Sequence, residues 1–233
     1  MILIFDYFET IVISKTHDFN RALRVFWGKY YQDRCTFEEI KELGEELFVE
    51  LMNLHHQGIE FPFVKEELPR YAERFGGETV PMSVDEEADF LMTANAMEPA
   101  PGIAEMLSKL QAKGIPMYVL SNSGFTADAL LTILNRLGIG HFFSKVWSSA
   151  EYGRTKPDRG FFEQAIATAL SEHPGEKRED ITFVGDIYET DVIGAFNAGI
   201  KAAWIDREGA RDEAHPATYV ISETSELTDI LGV

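Results

Sequence analysis

Polar side chains that could do chemistry stand directly after the apolar runs of this sequence or in the loops that follow them. In chain order they are Asp6, Ser121 with Asn122, Lys156, and Asp186 with Asp191. An aspartate after a buried strand is often only a turn residue. Several such residues at the ends of different strands form a coherent set, and this favours a shared site.

The residue types in this set suit metal-assisted phosphoryl chemistry. Clustered carboxylates repel one another unless a cation is present, and carboxylate and carbonyl oxygens are the ligands that Mg²⁺ prefers. Lys156 can neutralise charge on a nucleophile or on a transferring group. The hydroxyls of Thr10 and Ser121, with neighbouring main-chain N–H groups, can hold phosphate oxygens. A carboxylate such as that of Asp6 can also act as a covalent nucleophile.

The apolar runs themselves predict the elements that position these residues. They cover residues 2–5, 116–120, 145–148, 181–184, 201–205 and 218–221, with helical patterns between the later ones. Pro101 is expected near the first turn of the helix that follows it, with a glycine just past its end. Strands alternating with helices predict an α/β fold with a mostly parallel, Rossmann-like, doubly wound sheet. Ligands bind beyond the carboxyl ends of the strands in such sheets.

A different pattern separates the first strand from the others. Between about residues 15 and 96 the apolar residues recur at helical spacing and no strand-like run interrupts them. We therefore expect an α/β core formed by residues 1–14 and 97–233, with a helical insertion at residues 15–96.

Composition narrows the classes of partner. The formal net charge is −18 and the pI is about 4.7, which disfavours nucleic acid and anionic lipid. Cys35 is the single cysteine, so an internal disulfide and a multi-cysteine zinc site are excluded. No apolar run is long enough to span a membrane, and the N-terminus lacks the features of a secretory signal. These features predict a cytoplasmic protein, and its oligomeric state stays open.

Four segments in order along the chain resemble the motifs of the haloacid dehalogenase (HAD) superfamily. They are FDYFETIV, VLSNSGF, YGRTKPDRGFF and FVGDIYETD, which begin at Phe5, Val119, Tyr152 and Phe183. The helical insertion is similar to the cap domain that this superfamily carries after its first motif. Each motif is weak alone, and four in the expected order over the whole chain are a specific signal.

The resemblance implies a role for each residue at the strand ends. Asp6 would be the nucleophile and Lys156 would stabilise the developing charge. Ser121 would hold the phosphoryl group with help from Asn122, from Thr10 and from main-chain amides. The Asp6 carboxylate, the main-chain carbonyl of Phe8, Asp186 and Asp191 would form the Mg²⁺ site, with Asp191 acting through waters or in support. The substrate would be a small phosphorylated compound.

Phe8 departs from the phosphatase pattern, which has an aspartate there that protonates the leaving group and later activates water. Such general acid–base catalysis contributes roughly 10²–10⁴-fold to a rate. We therefore expect slow hydrolysis of alkyl phosphates, whose leaving groups need a proton. Glu9, or a residue of the helical insertion, could replace the lost carboxyl. Neighbouring side chains on an extended segment point in opposite directions, however, which disfavours Glu9.

Three other functions stay open at this point. 2-Haloacid dehalogenases carry an aromatic residue at the position of Phe8, but they use no metal, and their basic WRxKQ-like segment is matched only by FWGKYY, with Gly28 in place of the arginine. Phosphonatases also lack the acid and use a lysine of the cap as a Schiff base; Lys29, Lys41 and Lys65 lie in the helical insertion. A protein that binds phosphate and Mg²⁺ without efficient turnover is the third alternative.

Overall fold

The fold is built on a six-stranded parallel sheet. Its strands, in spatial order, are β5 (Lys145–Ser148), β4 (Met117–Ser121), β1 (Ile2–Phe5), β6 (Ile181–Gly185), β7 (Lys201–Ile205) and β8 (Tyr219–Ile221). The computed structural model describes residues 1–207, 209 and 215–233. The first strand lies in the middle, between β4 and β6. The chain then fills the sheet outward in both directions, so the switch in strand order lies beside β1. This is the place where doubly wound sheets bind ligands, and Asp6 directly follows β1.

The strands agree with the apolar runs, and the predicted α/β fold with a mostly parallel sheet is confirmed. The helices of the core are α5 (Ile103–Ala112), α6 (Ala127–Arg136), α7 (Ser149–Tyr152), α8 (Arg159–Glu172), α9 (Ile193–Asn197) and α10 (Leu227–Leu231).

The start of α5 differs from the expectation that Pro101 occupies its first turn. Gly102 is the N-cap residue, with a φ of 70°, and the helix begins at Ile103. Pro101 therefore precedes the cap. The left-handed conformation that turns the chain into the helix is one that glycine adopts without steric cost.

Alternate side chains of each strand pack on opposite faces of the sheet, as strand geometry requires. Leu3 and Phe5 belong to one apolar cluster, with residues of α5, α6 and α10. Ile2 and Ile4 belong to another, with residues of α8 and α9. Burial on both faces explains why β1 reads as a continuous apolar run.

The helical insertion is flanked by two short strands that pair with each other as an antiparallel ribbon. It pairs β2 (Val12–Ser14) with β3 (Met97–Pro99). Between them lie α1 (Phe19–Tyr30), α2 (Phe37–His55), a π-helical turn (Phe63–Glu67), α3 (Leu68–Phe75) and α4 (Val84–Asn95). Capping boxes start α2 at Thr36 and α4 at Ser83. These helices share a third apolar cluster, and their independence as a domain stays a prediction.

Across the described part of the chain, no helix combines the length and the apolar character that crossing a membrane would require.

Candidate active site

Lys156 joins two of the strand-end carboxylates. Its Nζ lies 2.6 Å from Asp6 Oδ1 and 2.7 Å from Asp191 Oδ1. All three side chains are buried, with Asp6 only 6% exposed. Burial alone would lower the pKa of Lys156, but Asp191 and Asp6 outweigh it and the net direction is upward. The lysine is therefore held as a cation against the predicted nucleophile.

Both oxygens of Asp191 are engaged. Oδ1 accepts from Lys156, and Oδ2 accepts the main-chain N–H of Ile187 at 3.0 Å. Gly185 allows this placement, because a Cβ there would lie 2.4 Å from Asp191 Oδ2. The geometry fits an Asp191 that orients Lys156 and the loop after β6, which agrees with a supporting role at a metal.

Three carboxylates gather at this edge of the sheet. Ligand oxygens of Asp6, Asp186 and Asp191 all lie within 4.8 Å of one another. Burial, with repulsion from Asp191, raises the pKa of Asp6 to about 7, against the attraction of Lys156. The same two causes raise the pKa of Asp186 to about 6. When these carboxylates are ionised, their negative charge exceeds the single positive charge of Lys156. A divalent cation would neutralise the excess.

The main-chain carbonyl of Phe8 is available to such a cation. In this loop the N–H groups of Ile11 and Val12 donate to the carbonyl of Tyr7. The N–H of Glu9 donates to the carbonyl of Val12. No residue in the described ranges donates a hydrogen bond to the Phe8 carbonyl. Hard oxygen ligands of this kind, with carboxylates beside them, fit Mg²⁺.

Thr10, Ser121 and Asn122, the residues expected at the phosphoryl group, surround this centre in different ways. Ser121 ends β4 and is fully buried. The side chain of Asn122 is occupied: its Oδ1 accepts the N–H of Lys156 at 2.6 Å and its Nδ2 donates to the Lys156 carbonyl at 3.2 Å. Asn122 thus fixes the lysine, and its main-chain N–H is the group left to meet a phosphate. Thr10 Oγ1 lies 3.5 Å from Asp186 Oδ1, at the long limit of a hydrogen bond.

Phe8 and Glu9 do not supply a second carboxyl to the centre. The Phe8 ring packs on Tyr7 with ring centroids 4.8 Å apart. Glu9 has a φ of 53°, and its Oε1 accepts the N–H of Ser14 at 3.0 Å. Its carboxylate is therefore tied to the ribbon, which weakens the hypothesis that Glu9 replaces the missing aspartate.

Some supporting contacts carry no sequence signal because they join distant parts of the chain. Trp204 Nε1 donates to the carbonyl of Asp186 at 3.1 Å, and Thr224 Oγ1 donates to the carbonyl of Thr10 at 2.8 Å. Gly185 stands directly before Asp186 in the sequence. The reason for a glycine there, the close approach of Asp191 Oδ2, becomes visible only in the structure.

Comparison with known proteins bears on the family and the fold. A family model described as haloacid dehalogenase-like hydrolase matches residues 1–199. The chain is 34% identical over 141 residues to a glyceraldehyde 3-phosphate phosphatase of Methanothermobacter thermautotrophicus, a match that covers 58% of this chain and 59% of that protein. It is 26% identical over 196 residues to a pyrimidine 5'-nucleotidase of Escherichia coli K12, covering 84% and 82%.

The fold is shared with a solved 2-haloacid dehalogenase from Pseudomonas syringae, with a TM-score of 0.69, 21% identity, and coverage of 100% of this chain and 99% of that one. The family match extends over most of the chain, from the first strand to the loop that precedes β7. The chain therefore belongs to the haloacid dehalogenase-like hydrolases.

Proposed function

We propose that this protein is a Mg²⁺-dependent phosphatase that acts on a small phosphorylated compound through an aspartyl phosphate at Asp6. The observation that carries the proposal is the buried contact of Asp6 with Lys156, next to Asp186 and Asp191. Relatives named as phosphatases and as a nucleotidase support the substrate class.

In the first half of the reaction, an Asp6 carboxylate oxygen attacks phosphorus. The bond between phosphorus and the leaving oxygen breaks, and that oxygen departs with the electron pair. Lys156 holds the Asp6 carboxylate at 2.6 Å and offsets negative charge as it develops. Ser121 and main-chain amides of its loop hold the non-bridging oxygens.

In the second half, water attacks the phosphorus of the aspartyl phosphate. The bond to Asp6 breaks, the carboxylate is restored, and the water gives up a proton as inorganic phosphate forms. Asp6, Asp186 and the Phe8 carbonyl are the groups that would hold Mg²⁺, with Asp191 in support. The ion, when bound, supplies positive charge that screens the carboxylate from the incoming phosphoryl group.

Phe8 places a limit on both halves, because no carboxyl follows Asp6 at the acid/base position. A leaving group that is stable as an anion needs no proton, and an alkoxide does. Aryl and acyl phosphates should therefore be turned over faster than alkyl phosphates by about 10²-fold or more. Slow hydrolysis of the aspartyl phosphate should also produce a burst of the first product.

A panel of substrates tests this function. We expect Mg²⁺-dependent turnover of acetyl phosphate and p-nitrophenyl phosphate, little turnover of glycerol phosphate, and none by Asp6→Asn. Equal rates on aryl and alkyl phosphates would show that another acid operates. Absence of turnover with retained phosphate binding would identify a binding protein instead.

A haloacid dehalogenase is the second candidate, since Phe8 matches its aromatic residue and one relative is named as an (S)-2-haloacid dehalogenase, at 26% identity over 138 residues. The carboxylate cluster around Asp186 and Asp191 favours the phosphatase, because a halide leaves without a metal. Including 2-chloropropionate in the panel separates the two: halide release without Mg²⁺ would identify the dehalogenase.

A further inference from the structure

Residues 58–63, which follow α2 and include the first residue of the π-helical turn, dock on two loops of the core. Its main chain makes three hydrogen bonds to loops that follow β4 and β5. These run from Glu60 N to the Gly153 carbonyl (3.2 Å), from Thr155 N to the Gly58 carbonyl (3.2 Å) and from Phe63 N to the Gly124 carbonyl (2.8 Å). The helical insertion thus contacts the loop that follows Ser121.

Glu60 lies at the centre of this contact, with its side chain fully buried. Its Oε1 accepts from His55 Nε2 at 2.8 Å and from the N–H of Phe61 at 2.9 Å. Its Oε2 accepts from the hydroxyl of Ser149. In the described part of the chain, His55 is its only basic partner. A buried carboxylate is costly unless hydrogen bonds satisfy it, so these three donors fix its position closely.

Ser149 extends the contact to the phosphate-binding loop, residues 121–123. It is fully buried at the start of α7, and its Oγ accepts the main-chain N–H of Ser123 at 2.8 Å. A hydroxyl has one proton. While that proton is donated to Glu60, the lone pairs of Ser149 stay directed at Ser123.

Without Glu60 as acceptor, the same proton can turn to the Ser123 carbonyl, which lies 3.3 Å from Ser149 Oγ. The hydroxyl would then no longer hold the Ser123 N–H in one direction. The Ser123 carbonyl also accepts from Ser148 Oγ at 2.9 Å, so the group whose direction depends on Glu60 is the Ser149 hydroxyl that accepts the Ser123 N–H.

We propose that Glu60 is a positioning residue for the phosphate-binding loop. Through Ser149 it holds the main chain at Ser123 in the geometry that receives a phosphoryl group, and it ties that geometry to the docking of the helical insertion. This rests on the proposed phosphatase function, in which Ser121 and the amides after it bind the phosphoryl group.

The test compares Glu60→Gln, Ser149→Ala and the double variant in the full-length protein with Mg²⁺. Glutamine keeps the size of Glu60 but has one acceptor oxygen, so it cannot accept from Ser149, His55 and Phe61 as before. Inhibition by inorganic phosphate against p-nitrophenyl phosphate gives the affinity of the loop. We expect either single variant to raise the inhibition constant about tenfold, and the double variant to add little, since the two residues act in series.

Glu50→Gln is the matched control. Glu50 lies on α2, in the same helical insertion as Glu60, and pairs with Arg70 at 2.7 Å; its replacement makes the same change in net charge. It should leave the inhibition constant within about twofold of wild type, because its partner Arg70 belongs to the helical insertion and not to that loop. A tenfold rise in the control would attribute the effect to net charge and overturn the proposal.

Amide hydrogen exchange of residues 121–125 separates this proposal from the function on which it rests. Exchange at Ser123 should be at least about tenfold faster in Glu60→Gln and in Ser149→Ala than in wild type. Unchanged exchange and unchanged phosphate inhibition in both variants would overturn the positioning role. Faster exchange in a protein that turns over no phosphate ester would instead refute the phosphatase function and support the positioning of Ser123 by Glu60 through Ser149.

Discussion

At residue 8, binding of a cation and transfer of a proton depend on different groups. Its main-chain carbonyl can serve a cation whatever the side chain is, whereas proton transfer needs a carboxyl there. The side chain of Phe8 packs on Tyr7 and provides none. Under the proposed phosphatase function, we therefore expect the centre around Asp6 to attack phosphorus and to act slowly on leaving groups that need a proton.

Restoring the carboxyl should restore that chemistry. In Phe8→Asp we expect the rate on glycerol phosphate to rise by about 10²-fold or more, with a much smaller change on p-nitrophenyl phosphate. Initial rates on both substrates measure the ratio. Phe8→Asn, of the same size but unable to donate a carboxyl proton, serves as control, and an equal gain in that variant would contradict the explanation.

At the scale of elements, the turn after β6 depends on an absent side chain. Gly185 ends the strand, and a Cβ there would lie 2.4 Å from Asp191 Oδ2. In Gly185→Ala the Asp191 carboxylate must move away from Lys156 and from the Ile187 amide. We expect turnover of p-nitrophenyl phosphate to fall at least about tenfold, with a loss of about 1–3 kcal/mol in the free energy of unfolding.

Gly175→Ala is the control for that substitution, since a Cβ at Gly175 meets nothing within 4 Å. Its turnover should equal that of wild type. If Gly185→Ala kept full turnover while its stability fell, the position of Asp191 would matter for packing and not for chemistry.

The same scale shows why some elements could be predicted and others could not. β1 and β6 are buried on both faces, so a continuous apolar run records them directly. The three-residue strands β2 and β3 leave no such record, because a pattern so short has no measurable period. The expectation that Asp6 and Asp186 lie close together agrees with the structure, because parallel strands bring their carboxyl ends to one edge; their roles stay predictions. The contact of Glu60 with Ser149 was missed because nothing local signals it.

Across the whole molecule, the formal net charge of −18 opposes the ionisation of further carboxyl groups, because each added negative charge is repelled by the others. Glu67 adds to this cost from inside the helical insertion. It is buried, and the hydroxyl of Tyr71 donates to its Oε1 at 3.0 Å. Burial raises the pKa of Glu67 from an ordinary value of 4.5 to about 7.

This shift fixes the sign of a dependence of stability on pH. Between about pH 4.5 and 7 the folded protein keeps a proton on Glu67 that the unfolded chain has released, so stability falls as the pH rises through that window. Glu67→Gln cannot ionise and should escape this loss. Relative to wild type, the variant should gain about 3 kcal/mol between pH 4.5 and pH 8. Urea unfolding at constant ionic strength measures the difference, and the loss from Asp6 and Asp186 cancels because both proteins share it. The control is Glu66→Gln at the exposed neighbouring position, which should show no such gain. If the stability difference between Glu67→Gln and wild type did not change across this pH window, the Glu67 carboxyl would ionise in the folded protein as readily as in the unfolded chain.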